Sequence, residues 1–209
     1  MLANRPTPSR PQRDPSAPKT VLAEFVALLA VAQALGPSLF PRSLLDTVPD
    51  ALGQLVLDQA PAKSLASSWR QADHILVTAR GTLHPVALEA ALKIKEAAQL
   101  PAEAGSGADL RHGPMAAVQR GDPVLVLDGG APFSADVTKL IGQLHAMGAD
   151  VAMCSSRADA ALPAPAPFID PLAALPALVR AQQLALFLAA ARGLDPDEPP
   201  GLTKVTLTH

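Results

Sequence analysis

Moving a proton between neighbouring carbons of a sugar takes a carboxylate, an amine and an imidazole. One stretch of this chain, ALEAALKIKEAAQLPAEAGSGADLRHGP from Ala87 to Pro114, holds all three. Glu89, Lys93 and Glu96 recur there at i, i+4 and i+7. At ~100° per residue a helix carries them in one stripe about 60° wide. Ala87, Ala91, Ile94 and Ala98 then lie opposite, against a core. His112 follows in a loop stiffened by Gly113-Pro114. Lys204, close to the C-terminus, is a further amine. Held over a desolvated site, it could form a Schiff base with a keto-sugar. Each of these has a plain alternative. Glu-to-Lys at i, i+4 is a common solvated helix pair. A loop histidine is usually structural or merely exposed, and a lysine near a chain end is usually solvated.

Two other segments could meet an anion. LDGGAPFSAD (Leu127–Asp136) follows an apolar run, opens a helical pattern and supplies Gly129, Gly130 and Ser134. That is the right topology for phosphate, but Asp128 and Asp136 would repel it. CSSRAD (Cys154–Asp159) offers Ser155, Ser156 and Arg157 as substrate-binding side chains. Cys154 is the lone cysteine, which excludes a disulfide framework and a CxxC metal pair. No metal-ligand cluster and no nicotinamide or pyridoxal motif is present, so no cofactor is expected.

The elements that must position these residues follow from the apolar pattern. Thr20 to Leu35, Pro49 to Gln59 and Ala62 to Ala72 read as helices. HILVTAR (His74–Arg80), PVLVLDGG (Pro123–Gly130) and DVAMCSS (Asp150–Ser156) read as buried parallel strands, with PFID (Pro167–Asp170) a short further one. Between them Pro85 to Leu100 is a helix with proline in its first turn. Ser134 caps a helix to Met147 that Gly148 closes, and Leu172 to Arg192 is a long final helix. Strands alternating with helices imply an α/β fold, a three-layer parallel sheet with flanking helices. In such sheets ligands bind outside the carboxyl ends of the strands, which singles out the loops after Ala79, Asp128 and Cys154. The expected organisation is a disordered Pro-rich arm (1–18), a helical linker region (19–72) and an α/β domain with its tail (73–209).

Composition narrows the partners. The chain of 209 residues has 19 acidic and 17 basic side chains, a net charge of -2 and no Lys/Arg block, so no nucleic acid is expected. Val21 to Leu35, the most apolar run, carries Glu24 and Gln33 and falls short of the ~20 residues of a spanning helix. No membrane association is expected, and the reading is cytoplasmic. The Ala/Leu-rich first and last helices offer more apolar surface than one small sheet covers, which points to a homodimer.

The stretch GTLHPVALEAALKIKEAAQLPAEAGSGADLRHGP and the ending RGLDPDEPPGLTKVTLT resemble the sugar isomerase (SIS) family. They are most similar to the second SIS domain of the isomerase half of glutamine–fructose-6-phosphate aminotransferase and to SIS-type glucosamine-6-phosphate deaminases. The resemblance implies an SIS-type, flavodoxin-like fold. The implied function is isomerisation or deamination of an amino-sugar phosphate by aldose–ketose proton transfer. It also implies roles: Glu96 shuttles the proton between C1 and C2, and His112 opens the sugar ring, often across a dimer interface. Lys204 forms the imine with the ketose, Lys93 supports the C1 oxygen, and Glu103, where the family has the glutamate of its Ala-Glu-Ala strand, is structural. The chain also departs from the family. Relatives have two SIS domains, and the first carries a Gly-x-Gly-x-Ser turn and a Ser-x-Ser-Gly-x-Thr loop for the phosphate. Neither occurs here, and Pro18 stands where relatives have threonine. The expectation is therefore the C-terminal half of the active unit, with a non-catalytic SIS module as the alternative.

Overall fold

The computed structural model describes residues 18–36, 40–166 and 168–197. Five parallel strands form one sheet: β1 (Ile75–Ala79), β2 (Ala102–Ser106), β3 (Pro123–Leu127), β4 (Asp150–Ser155) and β5 (Leu162–Pro163), in the order β2-β1-β3-β4-β5. The helices are α1 (Pro18–Leu35), α2 (Arg42–Leu57), α3 (Ala60–Trp69), α4 (His84–Ala98), α5 (Ser134–Met147) and α6 (Ala174–Ala191).

The two-residue period of the strands builds the layers. Ile75, Val77, Ala79, Leu125, Leu127, Ala152 and Cys154 share a core with buried side chains of α3, α4 and α6. Val124 and Val126 point the other way, to Val137, Leu140 and Leu144 of α5 and to Leu110. Helix α6 is apolar on all sides and is the inner helix of the first layer. Among the described residues it is the one helix with the length and hydropathy of a membrane span, and 72% of it is buried inside the fold. Its one charged side chain is a staple: Arg180, 1% exposed, donates to Pro163 O (2.8 Å), Asp58 O (2.5 Å) and Asp58 Oδ2 (2.6 Å). Gln183 continues the tie to Leu55 O at 2.9 Å, so the end of α2 is anchored to the sheet layer.

Several local expectations change. Helix α2 begins at Arg42 and passes through Pro49. The apolar stripe Leu44, Leu45, Val48, Ala51, Leu52 and Leu55 spans the proline, and its packing with Phe40, Phe168 and Leu175 offsets the lost hydrogen bond. Ser134 does not cap α5. Phe133 takes the cap position with helical angles, φ -94 and ψ -2, and no side-chain cap bond forms. Gly148 does close that helix, at φ 83. No strand forms in Phe168–Asp170, the described part of the expected Pro167–Asp170 strand. Phe168 packs against Val48 and Leu172, and the Asp170 N–H donates to Gly129 O at 2.9 Å. The outer strand is Leu162–Pro163 instead, paired with Cys154 and Ser155. Strand β2 was not marked by an apolar run, because it is a sheet edge of small and polar residues. The expected Pro-rich arm lies outside the described residues up to residue 17.

Candidate active site

Pro85 in the first turn starts α4, and the buried Val86, Ala87, Ala90, Ala91, Ile94 and Ala98 dock it on the sheet and α6. That docking turns Lys93, in the middle of the stripe, toward a groove; Glu89 and Glu96 flank it without lining that groove. The Lys93 side chain is only 8% exposed. Its Nζ donates to Glu96 Oε2 at 2.6 Å and lies 3.5 Å from Glu89 Oε1. The side chains of Glu89 and Glu96 are 13% and 20% exposed. Burial pushes the Glu89 carboxyl above the usual carboxylate range; Lys93 opposes this, while Glu96 and Glu24 of α1 reinforce it. The groove, about 460 Å³, runs between α1, α2, α4 and α6. Lys93 and Ala97 of α4 line it together with Leu22, Val56, Leu186, Phe187, Pro196 and Asp197. A buried ammonium flanked by two carboxylates can take up and release protons beside an oxygen-rich ligand. Glu89 belongs to this arrangement, and its i, i+4 relation to Lys93 was the signal for it in the sequence.

The carboxyl edge of the strands is built differently. The order β2-β1-β3-β4-β5 puts the topological switch point between β1 and β3. That crevice is plugged. Gly81, at φ +59, has Asp170 and Phe133 packed against it, and Leu83 fills the space over Gly129. Asp170 accepts hydrogen bonds from the N–H (3.2 Å) and the hydroxyl of Thr82. Asp136, expected to repel anions, is held by two arginines: Arg111 Nη1 at 2.6 Å and Arg80 Nε at 3.0 Å. Arg80 also lies 5.4 Å from the centre of the Phe133 ring. Ser155 is buried, and its hydroxyl accepts the Arg157 N–H at 3.0 Å. Ser156 is exposed. Arg157 pairs with Asp159 at 3.1 Å and donates to Thr138 Oγ1 at 3.2 Å. Its hydrogen bond to Asp159 draws that carboxyl below its usual range. Cys154 is fully inside, and burial pushes its thiol up to about 12, which keeps it from acting as a nucleophile.

His112 is not brought to Glu96 within one chain. It ends a short 3-10 turn, Asp109–His112, after β2, and is exposed. Its neighbours Leu110 and Met115 pack on the α5 face of the sheet, whereas α4 covers the other face. Glu96 also lies in the last turn of α4, about 18 Å of helix axis from the strand carboxyl edge where that helix begins. Lys204 lies outside the described residues.

A family model described as the SIS domain matches residues 68–164. The chain is 31% identical to glutamine–fructose-6-phosphate aminotransferase of Mycobacterium bovis over 222 residues, and 30% identical to the Methanothermobacter thermautotrophicus enzyme over 207. Each match covers 95% of this chain and 35% of the relative. The chain thus spans about a third of the length of the curated relatives it matches. Among solved structures, glucosamine-6-phosphate deaminase of Thermotoga maritima superposes with a TM-score of 0.66 at 24% identity, covering 88% of this chain and 56% of that one. Tagatose-6-phosphate ketose/aldose isomerase of Escherichia coli gives a TM-score of 0.55 at 26% identity, covering 63% and 40%. This chain carries an SIS domain. The matched SIS segment contains Glu89, Lys93, Glu96, His112 and Ser155–Arg157, and leaves out α1, α2 and α6. The groove beside Lys93 is therefore made jointly by the SIS domain and the helices flanking it. Among the described residues, no group of three or more His, Cys, Asp or Glu side chains is placed to hold a metal ion.

Proposed function

We propose that this chain is the proton-transfer half of an SIS-type enzyme acting on an amino-sugar phosphate, as an isomerase or a deaminase. The observation that carries the reading is the buried Lys93, which lines an open groove and is bonded to Glu96 at 2.6 Å. Glu96 takes the proton from one carbon of the open-chain sugar and returns it to the next, with Lys93 stabilising the oxygen on C1. The names of the relatives, fructose-6-phosphate aminotransferase and glucosamine-6-phosphate deaminase, support this substrate class. Lys204 is the proposed imine-forming amine, carried over from the family resemblance.

Two further parts come from outside one copy. We assign ring opening to His112 of a second copy, since the sheet separates it from its own Glu96. The exposed Val26, Leu28, Val31 and Leu35 of α1 support a homodimer. The phosphate anchor is assigned to a further SIS domain joined or bound to this one; the curated relatives are about three times the length of this chain. For the chain to hold the phosphate itself, Arg157 would have to exchange Asp159 for the anion. A cytoplasmic setting accompanies this reading.

The test is turnover of fructose 6-phosphate and glucosamine 6-phosphate by the 209-residue chain, alone and with the first SIS domain of a relative supplied in cis or in trans. Remote phosphate binding positions the reacting carbons, so the chain alone should show almost none and the combination should show catalysis. The plugged switch point and the distant His112 favour a second reading, a non-catalytic SIS module that supports a partner. An inactive combination in which both domains are folded would decide for that module.

A further inference from the structure

Lys93 stands between two carboxylates of its own helix, and they hold it unequally. Glu96 Oε2 takes its hydrogen bond at 2.6 Å, while Glu89 Oε1 lies 3.5 Å away. Glu89 Oε1 is buried and has no hydrogen-bond partner. One ammonium already matched by one carboxylate does not need a second, and burying an unpaired carboxylate oxygen is costly. A second carboxylate becomes necessary when the first loses its charge. Proton transfer through Glu96 does that in every turnover: the substrate C–H proton moves onto the carboxylate, which is then neutral. Lys93 would at that moment be a buried ammonium without a counter-ion.

We infer that Glu89 is the alternate counter-ion of Lys93, a positioning residue that takes the ammonium's hydrogen bond while Glu96 holds the substrate proton. This rests on the proton-transfer role proposed for Glu96. The proton passes from one substrate carbon to Glu96 and on to the neighbouring carbon. Lys93 and Glu89 exchange none, and only the Nζ–H bond changes acceptor. The shift required is under about 1 Å, because residues four apart on a helix are neighbours. The charged groups around Glu89 fit the role. They are Lys93 and Glu96 on α4 and Glu24 on α1, and burial is the largest influence on its titration. Neutralising Glu96 removes one of the two charges that oppose ionisation of Glu89. The anion is thereby favoured when Lys93 needs it.

The experiment is an NMR titration of the full chain without substrate, reading the Glu carboxyl carbons and the Lys93 Nζ, with Glu96→Gln standing for protonated Glu96. The Glu89 midpoint should fall in Glu96→Gln, and Lys93 should stay protonated in each single variant. In the double Glu89→Gln/Glu96→Gln variant, the Lys93 midpoint should fall below that of either single variant. An unchanged Glu89 midpoint in Glu96→Gln overturns the inference, and that variant suffices by itself if the double one does not fold. Such a failure leaves the role of Glu96 standing. Full turnover by Glu96→Gln in the two-domain combination would instead sink the reading on which the inference rests, even with the coupling intact.

Discussion

At the carboxyl edge of the sheet, two arginines share Asp136, and Asp170 closes the switch point by binding Thr82. On α4, two carboxylates share Lys93, and one of their oxygens is left without a hydrogen bond. Both regions are built from common ion-pairing side chains. At the edge Arg80 Nε lies 3.0 Å from Asp136 Oδ2, yet both atoms are buried without a hydrogen bond, so the pairing there is incomplete as well. On α4 it is also incomplete, and there Lys93 lines a groove of about 460 Å³. A general rule for parallel sheets points to the edge, whereas the charged cluster that borders an open groove lies on the helix. Unmatched charge does not mark a site, since both regions hold it; a charged cluster beside an open groove does.

The sharpest break between the regions is catalytic. In the two-domain combination, Glu96→Gln should lower turnover by about 100- to 10,000-fold, the usual worth of a positioned acid–base group. Arg157→Ala at the edge should leave it unchanged, as assayed by coupled detection of glucose 6-phosphate or ammonia. Equal losses in both variants would erase the distinction.

Next in size is a packing contrast. Gly81 adopts φ +59 with Asp170 and Phe133 against it, so Gly81→Ala should destabilise the fold by about 3 kcal/mol. Gly142 on α5 has nothing within 4 Å of an added methyl, and Gly142→Ala should stabilise by about 0.5–1 kcal/mol. Urea unfolding of both variants checks the pair. A tolerant Gly81 would mean that the switch point is open.

Asp136→Ala removes the carboxylate that pairs with Arg80 and accepts from Arg111. Asp136 is 33% exposed, so screening holds the expected loss to about 1 kcal/mol. The smallest effect is a slope. Because the Glu89 carboxyl titrates above its unfolded range, the folded chain binds more protons than the unfolded chain between the two values. Its contribution to stability is present at lower pH and is lost as pH rises through the folded value. Glu89→Gln should flatten that decline in urea midpoints followed across the acid range, and an unaltered slope would show that Glu89 is ordinarily solvated.

Much of the site was legible in the sequence because it is local. The spacing of Glu89, Lys93 and Glu96 puts them on one helical stripe whatever surrounds the helix, and the alternating strand pattern dictates a parallel α/β sheet. A solvated face was the ordinary expectation for such a stripe. Only the packing of α1, α2 and α6 around α4 buried Lys93 and made the groove. The edge strand β2 was suggested only by the resemblance at Ala-Glu-Ala, and the true outer strand Leu162–Pro163 escaped notice, because short strands of small residues carry no apolar run. Ser134 looked like a cap because its residue type suits one, yet the angles of Phe133 gave that position to the ring that packs on Gly81.

What the sequence determined by itself is therefore the chemistry available and the helix that aligns it, since i, i+4 and i+7 relations follow from the pitch of a single element. Only the tertiary structure decided which charges cancel and on which side of the sheet each candidate lies. Asp136 meets its two arginines from across the fold, and His112 falls on the face opposite Glu96. Those outcomes depend on the order in which strands pair and on the layer each crossover covers, and no spacing along the chain encodes either one.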